Sequence, residues 1–281
     1  MKLYKTSNRI IAEYEGQSYQ ISDSWDHAVN HSKLHDHLVK LVKSAKPLDS
    51  GIKKDWLKDG LSAPIGSQEV WASGVTYLRS RDARMEESKT GGGSDFYQKV
   101  YDADRPELFF KALAHRVVGH GGEVYIRKDS TWNVPEPELT LFINSKGEIQ
   151  GYTVGNDMSS RSIEGENPLY LPQAKSYEKA CALGPCLYVP KEPISLDTNI
   201  VISIKRNGNE VFHEEIQLNR MKRKFDELVE YLYRACHFNQ GAYLMTGTGI
   251  IPPNEFTLEP KDMVSISIDG IGTLENVVGV I

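Results

Sequence analysis

The chain reads as an α+β protein: a small N-terminal α/β part over residues 1–66, then a mainly β part over residues 67–281 that carries the chemistry. Three observations predict this. Short apolar alternations at the start lead into one amphipathic stretch, Trp25 to Ser44. A passage dense in turn residues, Lys46 to Gln68 with Pro47, Gly51, Gly60, Pro64 and Gly66, then breaks the pattern and reads as a linker. Beyond it, apolar runs joined by hairpin signatures continue to the C-terminus.

In order, Lys2 to Ile21 form two short strands around Glu15-Gly16, and Asp23 or Ser24 is placed to cap a helix running from about Trp25 to Ser44. Leu34, Leu38, Leu41, Val42 and Ala45 give that helix one apolar face. His27, His31 and His35 recur along one side, a spacing able to hold a transition metal. No acid or Cys completes the set, so polar residues flanking an apolar stripe are expected instead. Glu69 to Ser88 begins as a strand, passes Gly74 and becomes a charged helix; Gly91 to Gly93 then form a flexible loop, a candidate lid. R-P-E-L-F-F-K-A is an apolar run containing Glu107 and Lys111, and His120 sits among turn glycines in a structural setting. Leu139 to Val154 is two apolar runs joined by Asn144-Ser145-Lys146-Gly147, a hairpin signature. Asn207-Gly208 marks a second hairpin, and Met221 to Cys236 is an amphipathic helix with Phe225, Leu228, Val229 and Leu232 inward. The C-terminal stretch is β again.

With 281 residues, 40% of them hydrophobic, the chain can bury a sizeable core. A net charge of −5 leaves no electrostatic footprint for nucleic acid or acidic membrane. No run approaches the about 18 apolar residues of a membrane span, and the start lacks the apolar core of a secretory signal. A cytoplasmic protein acting on a small molecule is expected. Cys181, Cys186 and Cys236 are an odd set without C-x-x-C spacing, which fits reduced, mostly buried thiols and not a disulfide scaffold.

The chemistry concentrates between Trp132 and Lys175. In an extended strand Glu136 and Glu138 point to the same face, so both carboxylates can reach one ion. Pro135 and Pro137 remove two backbone donors, so the segment is expected at a strand edge opening into a cavity. Asp157, just past the return strand, supplies a third oxygen ligand. Three hard ligands with no His or Cys nearby suit Mg²⁺, Mn²⁺ or Ca²⁺ better than Zn²⁺. A lone E-x-E is more often a solvated edge; Arg161 and Lys175 downstream turn this one into a compact mixed-charge constellation.

P-E-P-E-L, then G-Y-T-V-G-N-D-M-S-S-R, T-G-T-G and D-G-I-G-T-L-E-N, in that order, resemble the fumarylacetoacetate hydrolase superfamily. E-N-P-L-Y-L-P-Q-A-K resembles its branch of 2-keto-3-deoxy sugar-acid dehydratases. The resemblance implies a mixed β-sandwich roll for the large part. It implies that Glu136, Glu138 and Asp157 hold an ion, Mg²⁺ (or Mn²⁺/Ca²⁺), chelated by the C1 carboxylate and C2 carbonyl of a 2-keto acid. A cation there stabilises the enolate formed when a proton leaves C3. By the same resemblance Lys175 is the base for that proton or, nearly as well, an electrostatic anchor, and Glu107 is the acid for the departing hydroxyl or a helix-start acid. Arg161 and Glu164 contact substrate polar groups, or form surface salt bridges. Thr248 offers a hydroxyl and nearby N–H groups to a carboxylate, or belongs to a plain turn, and Tyr77 stands at the pocket wall.

The hydrolases of the superfamily carry G-x-x-Y-x-x-H-x-x-E, whose His and Glu activate water. Here Gly74 to Ala83 read G-V-T-Y-L-R-S-R-D-A, with Ser80 and Ala83 at those positions and Glu86 and Glu87 as partial substitutes for the acid. The expected activity is therefore a lyase that dehydrates a 2-keto-3-deoxy pentonate to 2-oxoglutarate semialdehyde in pentose catabolism. The alternative is a hydrolase or decarboxylase of a 2,4-diketo acid (an acylpyruvate), and an idle metal-binding oligomer is the third reading. The expected partners are a small-molecule 2-keto acid and further copies of the chain, as a homodimer or homotetramer.

Overall fold

A computed structural model describes residues 1–48, 60–87 and 94–281. The candidate lid, Gly91 to Gly93, lies outside the described residues. The N-terminal alternation gives three strands, β1 (Lys2–Lys5), β2 (Ile10–Tyr14) and β3 (Gln17–Ile21), where two were expected. The turn at Glu15-Gly16 joins the last two.

The single helix expected over Trp25 to Ser44 is two, α1 (Trp25–Val29) and α2 (Leu34–Ser44). Ser24 caps α1, accepting from the His27 N–H at 3.4 Å, and Lys33 breaks the path with φ 52°. Burial explains the break. α1 buries Trp25, Ala28 and Val29, while α2 buries Leu34, Leu38 and Val42. At about 100° per residue these two faces would point about 130° apart on one straight helix, too far to be buried together. Leu41, expected inward, is 37% exposed. The break also parts His35 from its expected companions, and His31 stacks instead on His37, ring centroids 3.8 Å apart.

The chain continues through β4 (Glu69–Gly74), α3 (Leu78–Glu87), α4 (Ser94–Asp102), β5 (Glu107–Leu113), β6 (Val117–Val118), β7 (Glu123–Ile126) and β8 (Asn133–Val134). The hairpin of β9 (Pro137–Ile143) and β10 (Ile149–Asp157) follows, then β11 (Ser159–Ser160), α5 (Arg161–Glu166), α6 (Leu171–Lys175) and β12 (Cys181–Tyr188). The remainder is β13 (Asn199–Arg206), β14 (Asn209–Gln217), α7 (Phe225–Tyr233), β15 (Ala242–Met245), β16 (Met263–Ile268) and β17 (Gly272–Val280). As expected, β13 and β14 turn at Asn207-Gly208, both at positive φ, and α7 buries Leu228, Val229 and Leu232.

A large sheet runs β3-β2-β1-β12-β10-β9-β15-β4-β5, with β6 beside β12, and a smaller one runs β14-β13-β16-β17-β7. Because β1 pairs with β12, the strands of the N-terminal segment extend the large sheet. The pleat of β9 then sorts the core. Leu139, Leu141 and Ile143 pack with Ile200, Ile202 and Ile204 of the smaller sheet, whereas Phe142 packs with Trp25, Leu34 and Leu38 behind the large one. Each such fully buried side chain contributes about 1.5–3 kcal/mol, so the hairpin is clamped on both faces.

The expectation of a strand edge at the P-E-P-E segment holds locally and not for the whole strand: β9 is interior from Thr140 onward, between β10 and β15, while Pro137 and Glu138 pair with β10 alone and Glu138 faces the cavity. The prolines are tolerated because Pro137 opens the strand, and the ladder to β15 stops at Thr140.

Candidate active site

At the open end of the β9–β10 hairpin, Glu136 and Glu138 stand beside Asp157, the last residue of β10. One carboxylate oxygen from each lies within 4.8 Å of the others, and all three residues are buried. Among the described residues no other group of three or more His, Cys, Asp or Glu side chains converges in this way. The acids share a narrow cavity of about 10 Å³ with Ser73, Gly74, Val75, Ser80, Arg84, Phe109, Arg161, Lys175, Gly247 and Thr248. That is about the room of one water molecule. A larger hollow of about 540 Å³ lies beside Met221 and Phe225, but no acids converge there, so chemistry rather than volume marks the site.

The cavity is crowded with charge. Lys175, at the end of α6 and fully buried, donates to Glu136 Oε2 at 2.6 Å, Asp157 Oδ2 at 3.2 Å and Ser159 Oγ at 2.5 Å. Its three ammonium hydrogens are thereby used. Arg161, at the start of α5, donates from Nη2 to Glu136 Oε1 at 2.6 Å. The Gly247 N–H donates to Glu138 Oε2 at 2.5 Å, on a backbone with φ 90°. At Gly247 a Cβ would meet the Thr76 Oγ1 at 2.1 Å, so this close approach requires glycine.

These contacts split the two glutamates. Burial alone would raise Glu136, but Lys175, Arg161 and Arg84 outweigh it and hold the carboxyl well below the usual range. Glu138 goes the other way: burial and then the charges of Asp157 and Glu136 push it well above the usual range. An all-oxygen set of mutually repelling carboxylates, buried and within reach of a single ion, fits a hard divalent cation.

The sequence-predicted residues divide into two groups. Glu136, Glu138, Asp157, Arg161, Lys175 and Thr248 line the one cavity. The Thr248 hydroxyl is engaged locally, donating to the Ile250 carbonyl and accepting from the Ile250 N–H, both at 3.1 Å. Glu164, Tyr77 and Glu107 stand behind the wall. Glu164 is 1% exposed and pairs with the buried Arg84, so it reaches the cavity through that guanidinium and is no surface salt bridge. Tyr77 is buried with its hydroxyl unpartnered, and burial followed by the Glu138 charge pushes its phenol up. Glu107 opens strand β5 and is not at a helix start; it faces Gly74, where a Cβ would meet its Oε2 at 2.0 Å. That oxygen is buried with no hydrogen-bond partner among the described residues.

Where the hydrolase motif would place a water-activating pair, Ser80 hydrogen-bonds the Tyr77 backbone, donating at 2.7 Å and accepting at 3.1 Å, and Ala83 is buried. Glu86 is exposed, and the Glu87 side chain lies outside the described residues.

Sequence reasoning missed Lys111, Arg84, Ser159 and Phe109. Lys111 is 1% exposed, pairs with Asp157 Oδ1 and donates to the carbonyls of Met158, at 3.0 Å, and Lys175. It is the extra residue of a bulge, where pairing passes from Val70 opposite Ala112 to Trp71 opposite Phe110. A lysine inside an apolar strand run was the available signal; the bulge that aims it was not legible.

Residues 70–279 match the C-terminal domain of fumarylacetoacetate hydrolase. A probable 2-keto-3-deoxyxylonate dehydratase of Haloferax volcanii is 48% identical over 218 residues, covering 76% of this chain and 73% of that protein. The 2-dehydro-3-deoxy-D-arabinonate dehydratase of Saccharolobus solfataricus is 44% identical over 218 residues, covering 76% and 72%. A solved structure of 2-keto-3-deoxy-D-arabinonate dehydratase complexed with magnesium and 2,5-dioxopentanoate superposes with a TM-score of 0.85 at 33% identity, covering 100% of this chain and 99% of that one. With a match over most of its length, this chain belongs to the fumarylacetoacetate hydrolase family.

Proposed function

We propose that this chain is a metal-dependent hydro-lyase that dehydrates a 2-keto-3-deoxy pentonate to 2-oxoglutarate semialdehyde, which is 2,5-dioxopentanoate. The observation that carries the reading is the buried triad of Glu136, Glu138 and Asp157, bridged by the Lys175 amine, with Ser80 and Ala83 where a water-activating pair would stand. The relatives named as dehydratases support the same reaction class.

The triad would hold Mg²⁺, with Mn²⁺ or Ca²⁺ as substitutes, and the ion when bound supplies a Lewis acid for the C1 carboxylate and C2 carbonyl of the substrate. Ligation would engage Glu136 and Asp157, two of the three acceptors of the Lys175 ammonium, and would free that group from them. The Lys175 ammonium first gives up one proton to solvent; the neutral amine then takes the C3 proton, and the electron pair left behind spreads onto the C2 oxygen. As that pair returns, the C4–O bond breaks, C3 and C4 become doubly bonded, and the hydroxyl leaves as water with a proton from Glu107, whose carboxyl abuts the cavity wall at Gly74. Tautomerisation moves the unsaturation to a C5 aldehyde. Arg161 contributes positive charge on the Glu136 side of the cavity, where Arg84 is held by Glu164; Thr248 and the Gly247 backbone shape the wall beside Glu138, and Tyr77 backs it.

Residues 67–281 hold every residue in this scheme, and in the proposal residues 1–66 are a small accessory segment whose strands extend the large sheet. Among the described residues no helix is long and apolar enough to cross a membrane; a cytoplasmic homodimer or homotetramer completes the proposal, and sedimentation velocity tests the assembly. Mass analysis of products from a panel of 2-keto-3-deoxy acids and acylpyruvates tests the reaction. Loss of one water from a pentonate is expected, and rapid cleavage of acylpyruvates with pentonates untouched would overturn the dehydratase in favour of the hydrolase.

A further inference from the structure

The buried charges around the triad do not balance a bound ion. With all three acids ionised, as ligation requires, the carboxylates meet three cations: Arg161 and Lys175 on Glu136, Lys175 on Asp157, and Lys111 on Asp157 Oδ1. Arg84 is offset by Glu164. A divalent ion added to this set leaves the cavity doubly positive in a water-poor setting, where such an excess is strongly unfavourable.

Among those cations Lys111 has no place in the reaction derived above. It enters from the β5 bulge, on the far side of Asp157 from Lys175, and its remaining donors are spent on the carbonyls of Met158 and Lys175. It is therefore fixed in place. Asp157 does not depend on it for orientation alone, since its N–H donates to the Glu136 carbonyl at 3.0 Å and its Oδ2 accepts from Lys175.

We propose that Lys111 is a positioning residue acting through Asp157, which weakens the site's hold on the bare ion so that the ion is held firmly only together with a doubly anionic ligand. This rests on the metal reading above and deepens it. A 2-keto acid that has passed its C3 proton to Lys175 carries that double charge, on its carboxylate and its C2 oxygen, and with Lys175 then an ammonium the site is balanced.

The test is calorimetric titration of Mg²⁺ into metal-stripped protein, alone and with saturating oxalate as a dianion, for wild type, Lys111→Met and Lys111→Arg. In Lys111→Met, Mg²⁺ alone is expected to bind at least about tenfold more tightly, and the further tightening caused by oxalate is expected to shrink by a similar factor. Lys111→Arg should resemble wild type. A purely structural lysine would leave the ratio of the two affinities unchanged, and that result, or weaker Mg²⁺ binding in Lys111→Met, overturns the proposal. If Lys111→Met folds only when refolded with Mg²⁺, the ion has replaced the amine and the proposal stands; failure to fold with and without Mg²⁺ assigns Lys111 to the fold alone and overturns it. Wild type that takes up no Mg²⁺ or Mn²⁺ under either condition overturns the metal reading itself, a different outcome from an unchanged ratio.

Discussion

The two ends of the β9–β10 hairpin are built from the same strands under the same core, yet they are opposite in kind. At the turn, Asn144 satisfies its own neighbourhood: its side-chain carbonyl accepts from the N–H groups of Lys146 and Glu148 at 3.0 Å each, and its amide donates to Glu148 at 2.7 Å. At the open end every group depends on a partner elsewhere in the chain, Glu136 on Lys175 and Arg161, Asp157 on Lys111, Glu138 on Gly247. The turn's polar groups are satisfied, by Asn144 itself and by Asn30, Ser32 and Tyr233 from other segments; the open end is left in electrostatic conflict, and that conflict is what an ion would relieve in the proposed reaction.

The sharpest way to break this contrast is to neutralise the open end. Glu136→Gln should abolish turnover in a coupled assay for the aldehyde product, while chelation of wild type should be reversed by Mg²⁺ or Mn²⁺. Full activity of metal-stripped protein would remove the ion from the scheme. The same substitution removes the carboxylate charge shared by Lys175 and Arg161, so denaturant unfolding should show a loss of stability too.

Lys175→Met comes next. A general base is worth about 10²–10⁴-fold, so kcat should fall by that order with little change in KM, and exchange of the C3 proton with solvent deuterium should stop. A raised KM at unchanged kcat would instead make Lys175 the anchor and pass the base role to Glu107.

A smaller effect distinguishes the two ends by pH. The folded, metal-free Glu138 keeps a proton that the unfolded chain releases near the ordinary value of 4.5, so its stabilisation is complete below that value and is lost as pH rises. Glu136 acts in the opposite window, its contribution present above 4.5 and lost as pH falls below it. Between pH 5 and 8, then, metal-stripped protein should unfold at lower temperature as pH rises, and Mg²⁺ should flatten or reverse the slope. A metal-stripped Tm that climbs across this range would contradict the assignment of Glu138.

At the turn end the expected effect is the least. Asn144→Ala should cost about 0.5–1.5 kcal/mol through lost turn hydrogen bonds to the exposed Lys146 and Glu148, and leave kcat unchanged, as thermal melts and the same assay would show. A drop in kcat there would mean that the two ends are coupled through the strands.

The period-two spacing of Glu136 and Glu138, the Asn144 to Gly147 turn and the return to Asp157 were local facts, fixed by the geometry of an extended chain and a tight turn, and they sufficed to bring three acids to one end of a hairpin. Helical periodicity was less reliable where two short faces abutted: Trp25 to Val29 and Leu34 to Val42 bury different sides, so the chain breaks between them and the expected histidine row is dissolved. The sequence by itself determined the family and picked out the acids and Lys175 that the fold brings to one cavity, because those rest on residue types at short or ordered spacings. Only the tertiary structure decided that β9 is interior from Thr140 onward, that Glu164 speaks to the cavity through Arg84, and that Lys111 backs Asp157. Those are pairings across distant segments and a one-residue bulge, and charge balance inside a protein is set by which groups meet in space, which no local pattern of residues encodes.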